Sequence, residues 1–225
     1  MSPREELARR IDHTNLRTDA DRHAIERLCS EAASWRFAGV IVFPYRVPLA
    51  ATALRGTGVA VGTVVGFPHG ASRAEVKRAE ARDAVTAGAS ELDMVLNVGA
   101  LLSDELDVVA LDIRAVVEEG RAGGALVKVI LETCYLSDDR KRIAARIAAD
   151  EGADFVKTST GLGPGGATVA DVRLLRDAVE GRCRVKAAGG IRSAKDACAL
   201  IEAGADRIGT SAGVQILQSL GEQRD

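Results

Sequence analysis

Three lysines stand where lysine is rarely tolerated. Lys128, Lys157 and Lys186 each sit inside a short apolar run, Leu126-Val-Lys-Val-Ile130, Phe155-Val-Lys-Thr158 and Arg184-Val-Lys-Ala-Ala188. Arginine outnumbers lysine by 24 to 6, so half of all the lysines lie in such runs. Arginine carries the surface positive charge, but it cannot deprotonate, and a nucleophilic amine must. An ordinary lysine, pKa roughly 10.4, is neutral only about once in 2,500 molecules at pH 7. A fall of about three units leaves roughly a third neutral. Burial and a second ammonium group both push in that direction. Strand alternation puts Lys128, Ile130 and Glu132 on one face, Lys157 with Ser159 on another, and Asp93, Val95 and Asn97 together on a third. Turning Asp93, Lys128, Lys157 and Lys186 towards a common interior gathers opposite charges into one polar cluster. That pattern suits Schiff-base chemistry, with a carboxylate to move protons as the carbinolamine loses water. An ion-pair network that only fills a core uses the same residues.

The elements that must position these lysines alternate along the chain. Strand-type runs fall at Ile11–His13, Val40–Phe43, Ala60–Gly66, Glu91–Asn97, Leu126–Glu132, Asp154–Ser159, Arg184–Ala188 and Arg207–Gly209. Several are apolar on both faces, as buried parallel strands are. Helical segments lie between them. Ser72-Arg-Ala-Glu75 reads as a capping box, Thr168-Val-Ala-Asp171 resembles one, and Ser137 and Ser193 read as N-caps. Gly88, Gly152, Gly181 and Gly204 mark helix ends. Eight strands alternating with helices in 225 residues predict a single TIM (β/α)₈ barrel spanning 1–225. An open sheet of eight parallel strands satisfies the same periodicity. In a barrel, the chemistry belongs at the C-terminal ends of the strands.

Composition narrows the partners. Net charge is −2, which offers no attraction to nucleic acid or an anionic membrane. No run approaches the length of a membrane span, and Met1–Asp12 lacks the apolar core of a signal peptide, so a cytoplasmic location is expected. Cys29, Cys134, Cys183 and Cys198 form no Cys-x-x-Cys pair and read as unpaired thiols. His13, His23 and His69 have no metal-ligand spacing, and no metal or other cofactor is expected.

Two glycine features, the second in two parts, follow late strands. Gly161-Leu-Gly-Pro-Gly-Gly166 matches the dinucleotide pattern in form, but it holds Pro164, and the next strand offers Lys186 where an acid would be wanted. It reads better as a βα loop or lid. Ala188-Gly-Gly-Ile-Arg192 and Ile208-Gly-Thr-Ser-Ala-Gly213 follow strands seven and eight. There, exposed backbone N–H groups of a barrel often hold a phosphate.

Taken together, Ile11-Asp-His-Thr-Asn-Leu16, Val64-Val-Gly-Phe-Pro68, Gly88–Asn97, Val127-Lys-Val-Ile-Leu-Glu-Thr133, Asp154-Phe-Val-Lys-Thr-Ser-Thr-Gly161 and Lys186-Ala-Ala-Gly-Gly-Ile-Arg192 resemble the deoxyribose-phosphate aldolase family over nearly the whole chain. The resemblance implies that Lys157 forms an imine with acetaldehyde, Lys186 depresses its pKa, and Asp93 relays protons through water. It implies that Gly161, Gly189, Gly190, Gly209 and Ser211 hold the phosphate of the sugar, with Asp12, Lys128 and Thr158 in support. It further implies cofactor-free catalysis on D-glyceraldehyde 3-phosphate and 2-deoxy-D-ribose 5-phosphate by a homodimer or higher homo-oligomer. The chain departs from the family pattern in three places. Val40-Ile-Val-Phe-Pro44 lacks a cysteine that many members carry, Ala187-Ala188 replaces Ala-Ser or Pro-Ala, and the chain ends Gly-Glu-Gln-Arg-Asp225 without the terminal tyrosine of some members. The last departure bears on the rate or route of proton transfer. Transaldolase-like or isomerase chemistry on a phosphosugar, and sugar-phosphate binding without turnover, draw on the same barrel and phosphate loops.

Overall fold

Valine and isoleucine crowd the strand runs because branched side chains fit a pleated, buried surface. In the computed structural model, which describes residues 2–222, these runs form eight parallel strands that close on themselves in chain order. The strands are β1 (Ile11–Asn15), β2 (Gly39–Val42), β3 (Ala60–Val65), β4 (Glu91–Val95), β5 (Leu126–Ile130), β6 (Phe155–Lys157), β7 (Arg184–Ala188) and β8 (Arg207–Thr210). Closure comes from β8 pairing with β1, Ile208 beside Ile11 and Gly209 beside Asp12. The architecture is the expected TIM barrel rather than an open sheet. The C-terminal residues 223–225, where the missing tyrosine was noted, lie outside the described residues.

The helices are α1 (Pro3–Ala8), α2 (Arg22–Trp35), α3 (Val47–Ala53), α4 (Ala74–Thr86), α5 (Val98–Leu102), α6 (Leu106–Ala122), α7 (Asp138–Asp150), α8 (Val169–Val179), α9 (Ala194–Glu202) and α10 (Gly213–Glu222). They pack outside the barrel. Leu92, Met94, Val127, Val129, Val156 and Val185 point outward into the continuous apolar layer between strands and helices. Alternation therefore sends Asp93, Lys128, Lys157 and Lys186 inward.

Thr168, Ser137 and Ser193 cap α8, α7 and α9 through side-chain oxygens, as their positions predict. Ser72 does not cap α4. That helix starts at Ala74, its N-cap is Arg73 without a side-chain bond, and Ser72 lies one residue too far upstream. Gly88, Gly152 and Gly204 take positive φ just beyond helix ends, and Gly181 follows a left-handed Glu180. Five of the runs outlast their strands, β2 and β3 by one residue and β4, β5 and β6 by two. β4 stops at Val95 and Asn97 becomes the N-cap of α5, β5 stops at Ile130 and Glu132 turns left-handed, and β6 stops at Lys157. These ends open on the face where a barrel keeps its chemistry.

Candidate active site

Strand register sets the charges side by side. Asp93 lies opposite Lys128, Lys157 opposite Lys186, and Lys186 opposite Arg207. Asp93 is the hub. Its Oδ1 accepts from Lys128 Nζ at 2.7 Å, and its Oδ2 accepts from both Lys157 Nζ and Lys186 Nζ at 2.7 Å. Asp12, from β1, accepts from Lys186 Nζ at 2.5 Å and from Arg207 Nη1 at 2.5 Å. Lys128 also pairs with Glu91 at 2.7 Å. Gly209 leaves the space this arrangement needs, since a Cβ there would sit 3.1 Å from Lys186 Cε.

The electrostatic consequences differ among the members. Burial opposes ionisation of Asp93, but Lys128, Lys157 and Lys186 outweigh it and hold its carboxyl well below the usual range. Asp12 is also depressed, with Lys186, Lys128 and Arg207 overcoming its burial. Lys128 goes the other way. Burial opposes its charge, yet Asp93, Glu91 and Asp12 together hold it firmly protonated. Lys157 is pushed down to about 8. Burial is the largest cause, Asp93 resists it, and Lys186 adds to the depression. The strand context pointed to burial and a second ammonium together and the resemblance to Lys186; burial is the larger of the two causes.

Access separates the lysines further. Lys128 and Lys186 are 0% exposed and Lys157 is 4% exposed, and Lys157 lines a cleft of about 540 Å³ at the C-terminal mouth of the barrel. Lys128, Lys186 and Asp93 sit behind it, out of contact with the cleft. Gly161, Gly189, Gly190, Gly209 and Ser211 line the same cleft, so the nucleophile candidate and the phosphate-loop candidates share one space. Gly189 and Gly190 both have positive φ, 93° and 78°, a conformation open to glycine at little cost. The Gly161–Gly166 segment is a βα loop laid against them. A Cβ on Gly166 would lie 2.3 Å from Gly189 O, so its glycine permits close contact between loops. Thr158 stays out of the cleft. Its hydroxyl donates to Ala188 O at 3.0 Å and accepts from Ala188 N at 3.1 Å, locking β6 to β7.

Some members of the site were not singled out from the sequence. Glu91 and Arg207 complete the charged interior, and the signal was present, because each lies two residues from a named site residue, Asp93 or Gly209. His13 lines the cleft, with Nε2 2.7 Å from Glu31 Oε2 and its ring against Phe37. That contact joins β1 to α2 and leaves no trace in local spacing. A further buried lysine, Lys77, pairs with Asp112 at 2.5 Å between α4 and α6 and donates to Val95 O at 2.7 Å.

The interior lysines of the barrel thus converge on one carboxylate beneath a glycine-rimmed cleft, and that barrel and cleft are those of an aldolase. The chain belongs to the DeoC/LacD family aldolases, whose family model matches residues 7–219. It is 54% identical over 215 residues to a deoxyribose-phosphate aldolase of Aciduliprofundum boonei, covering 96% of this chain and 97% of the relative. It is 55% identical over 212 residues to that of Streptococcus pneumoniae, covering 94% and 96%. Among solved structures, the tetrameric deoxyribose phosphate aldolase from Aeropyrum pernix superposes with a TM-score of 0.92 at 35% identity, covering 99% of this chain and 94% of that one.

Proposed function

We propose that this chain is a class I deoxyribose-phosphate aldolase, interconverting 2-deoxy-D-ribose 5-phosphate with acetaldehyde and D-glyceraldehyde 3-phosphate through an imine on Lys157. The observation that carries the mechanism is the place of Lys157, the one member of the buried lysine trio that reaches the cleft, where burial pushes its amine down to about 8. At pH 7 about one molecule in ten then holds it neutral. The neutral amine adds to the acetaldehyde carbonyl, and the carbinolamine loses water to give a protonated imine. Loss of a methyl proton makes an enamine, and its terminal carbon attacks the aldehyde carbon of glyceraldehyde 3-phosphate. Hydrolysis returns the sugar phosphate and free Lys157.

Asp93 suits the proton transfers for a specific reason. Its resting carboxyl is held ionised partly by the Lys157 ammonium. When that nitrogen enters the carbinolamine the ammonium is gone, Asp93 becomes more basic, and it can take a proton through water. Lys186 lowers the Lys157 pKa and orients Asp93. Lys128, Asp12 and Thr158 support the cluster. Gly161, Gly189, Gly190, Gly209 and Ser211 receive the phosphate, chiefly through backbone N–H groups.

The chemistry needs no cofactor. The reading includes one catalytic domain over 1–225, a cytoplasmic location, and assembly into a homodimer or larger homo-oligomer. The tetramer of the Aeropyrum pernix relative supports the assembly, and no helix among the described residues is long and apolar enough to cross a membrane. Borohydride trapping with acetaldehyde, followed by peptide mass spectrometry, tests the core of it. The expected result is a reduced two-carbon adduct on Lys157 that Lys157→Met abolishes. Folded protein with no adduct on any lysine in excess aldehyde refutes the mechanism and favours sugar-phosphate binding without turnover. A product assay separates the aldolase from transaldolase-like and isomerase activities.

A further inference from the structure

Glu132 is a buried carboxylate that the mechanism above leaves unused. It is 4% exposed, forms no ion pair among the described residues, and does not line the cleft. Its backbone is left-handed, φ 54° and ψ 62°. Among the described residues three other non-glycine residues share positive φ, and Arg36 and Glu180 are helix C-caps while Asp104 lies in the turn between α5 and α6. Glu132 alone of the four is buried and follows the C-terminal end of a barrel strand. Non-glycine residues hold such conformations where the surroundings over-determine them.

Those surroundings are the start of the Gly161 loop. The Glu132 carboxylate accepts from Thr160 N at 3.3 Å through either oxygen and accepts a very short bond from the Thr160 hydroxyl. Thr160 Oγ1 in turn accepts from Leu162 N at 3.0 Å, so the carboxylate fixes the turn around Gly161 from both sides. Gly163 packs on it closely, as a Cβ there would lie 3.3 Å from Glu132 Cδ. The far end of the loop is tied separately, Ala167 N donating to Gly189 O at 3.1 Å.

We infer that Glu132 is a positioning residue for the phosphate end of the cleft, its carboxylate clamping Thr160 so that Gly161 meets the sugar phosphate alongside Gly189 and Gly190. The inference rests on the proposed aldolase reading. A charge acceptor suits the task because a carboxylate takes both the N–H and the O–H of Thr160 with charge-assisted strength. Loss of the clamp weakens capture of the phosphate and leaves the amine chemistry at Lys157 intact.

The test compares wild type with Glu132→Ala, Glu132→Gln and Thr160→Val. Steady-state cleavage of 2-deoxy-D-ribose 5-phosphate is measured together with acetaldehyde trapping at Lys157, which needs no phosphate. For E132A the expected result is a KM raised about tenfold with kcat within about twofold, a loss of about 1.4 kcal/mol in uniform binding. Trapping at Lys157 keeps its wild-type rate. E132Q recovers most of the KM, since its amide still accepts from Thr160 N and can donate to Oγ1. T160V, which keeps Glu132, repeats the E132A pattern and serves if E132A does not fold. A folded E132A or T160V with wild-type KM, or one in which kcat and trapping fall while KM holds, overturns the inference. Wild-type protein without cleavage or trapping would instead refute the aldolase reading itself.

Discussion

Lys186→Met removes the second ammonium from beside Lys157 and preserves most of the side-chain volume. In the wild type, a Lys157 pKa of about 8 against an ordinary 10.5 makes the neutral amine roughly 300-fold more abundant at pH 7. Burial is the larger cause of that shift and survives the substitution, while the contribution of Lys186 does not. Asp93 Oδ2, now shared by one ammonium rather than two, favours the charged form of Lys157 more strongly. Both changes raise the pKa. A rise of about one unit makes imine formation about tenfold slower at pH 7. The variant and the wild type converge above the ordinary lysine pKa, where both amines are neutral. The assay is the rate of borohydride-trapped adduct with acetaldehyde between pH 6 and pH 11, roughly the range that brackets both pKa values, on protein with native circular dichroism. An apparent pKa that stays put or falls in folded K186M refutes the assignment of Lys186 as an electrostatic partner of the nucleophile.

Acid stability and loop packing give two further expectations. Asp12 and Asp93 have folded pKa values below their unfolded ones, so their contribution is fully present above the ordinary carboxylate pKa and is lost as pH falls through the folded values. The urea midpoint is therefore expected to hold steady between about pH 5 and pH 7 and to fall below about pH 4. Asp93→Asn, less stable throughout because three buried ammonium groups lose their shared anion, should show a shallower acid slope, and an unchanged slope would count against the linkage. Gly166→Ala places a methyl within 2.3 Å of Gly189 O and must part the two glycine loops. It is expected to raise KM for the phosphorylated sugar and to cost about 1–3 kcal/mol of stability. A calorimetric scan and a KM matching wild type would contradict that packing.

Much of the site was legible because a strand interior offers few reasons for a lysine. Period two placed Asp93, Lys128, Lys157 and Lys186 on inward faces, and barrel closure brought those faces together. The same rule applied to Glu91 and Arg207 would have found the rest of the cluster. What spacing could not show was depth. That Lys157 reaches the cleft while Lys186 does not depends on where each strand ends relative to the mouth. Ser72 misled because a capping box specifies a pattern of four residues, and here the helix begins one residue later than that pattern requires. The Lys77–Asp112 and His13–Glu31 pairs join residues 35 and 18 positions apart on separate elements, and only tertiary packing makes them neighbours.

The barrel interior can also be read as a set of whole charges. Asp12, Glu91 and Asp93 supply three negatives, and Lys128, Lys157, Lys186 and Arg207 supply four positives. The enclosed volume is thus one positive charge from neutrality. The surplus is released most readily at Lys157, the member next to the cleft. With its proton gone, the interior is electrically balanced in a medium that penalises any imbalance. A protonated imine puts the charge back on that nitrogen, now conjugated to substrate carbon. The free-amine form that attacks the aldehyde is then the neutral state of the cavity, and the covalent intermediate restores the charge of the resting ammonium, with its positive charge now drawing electrons out of the bond to be broken.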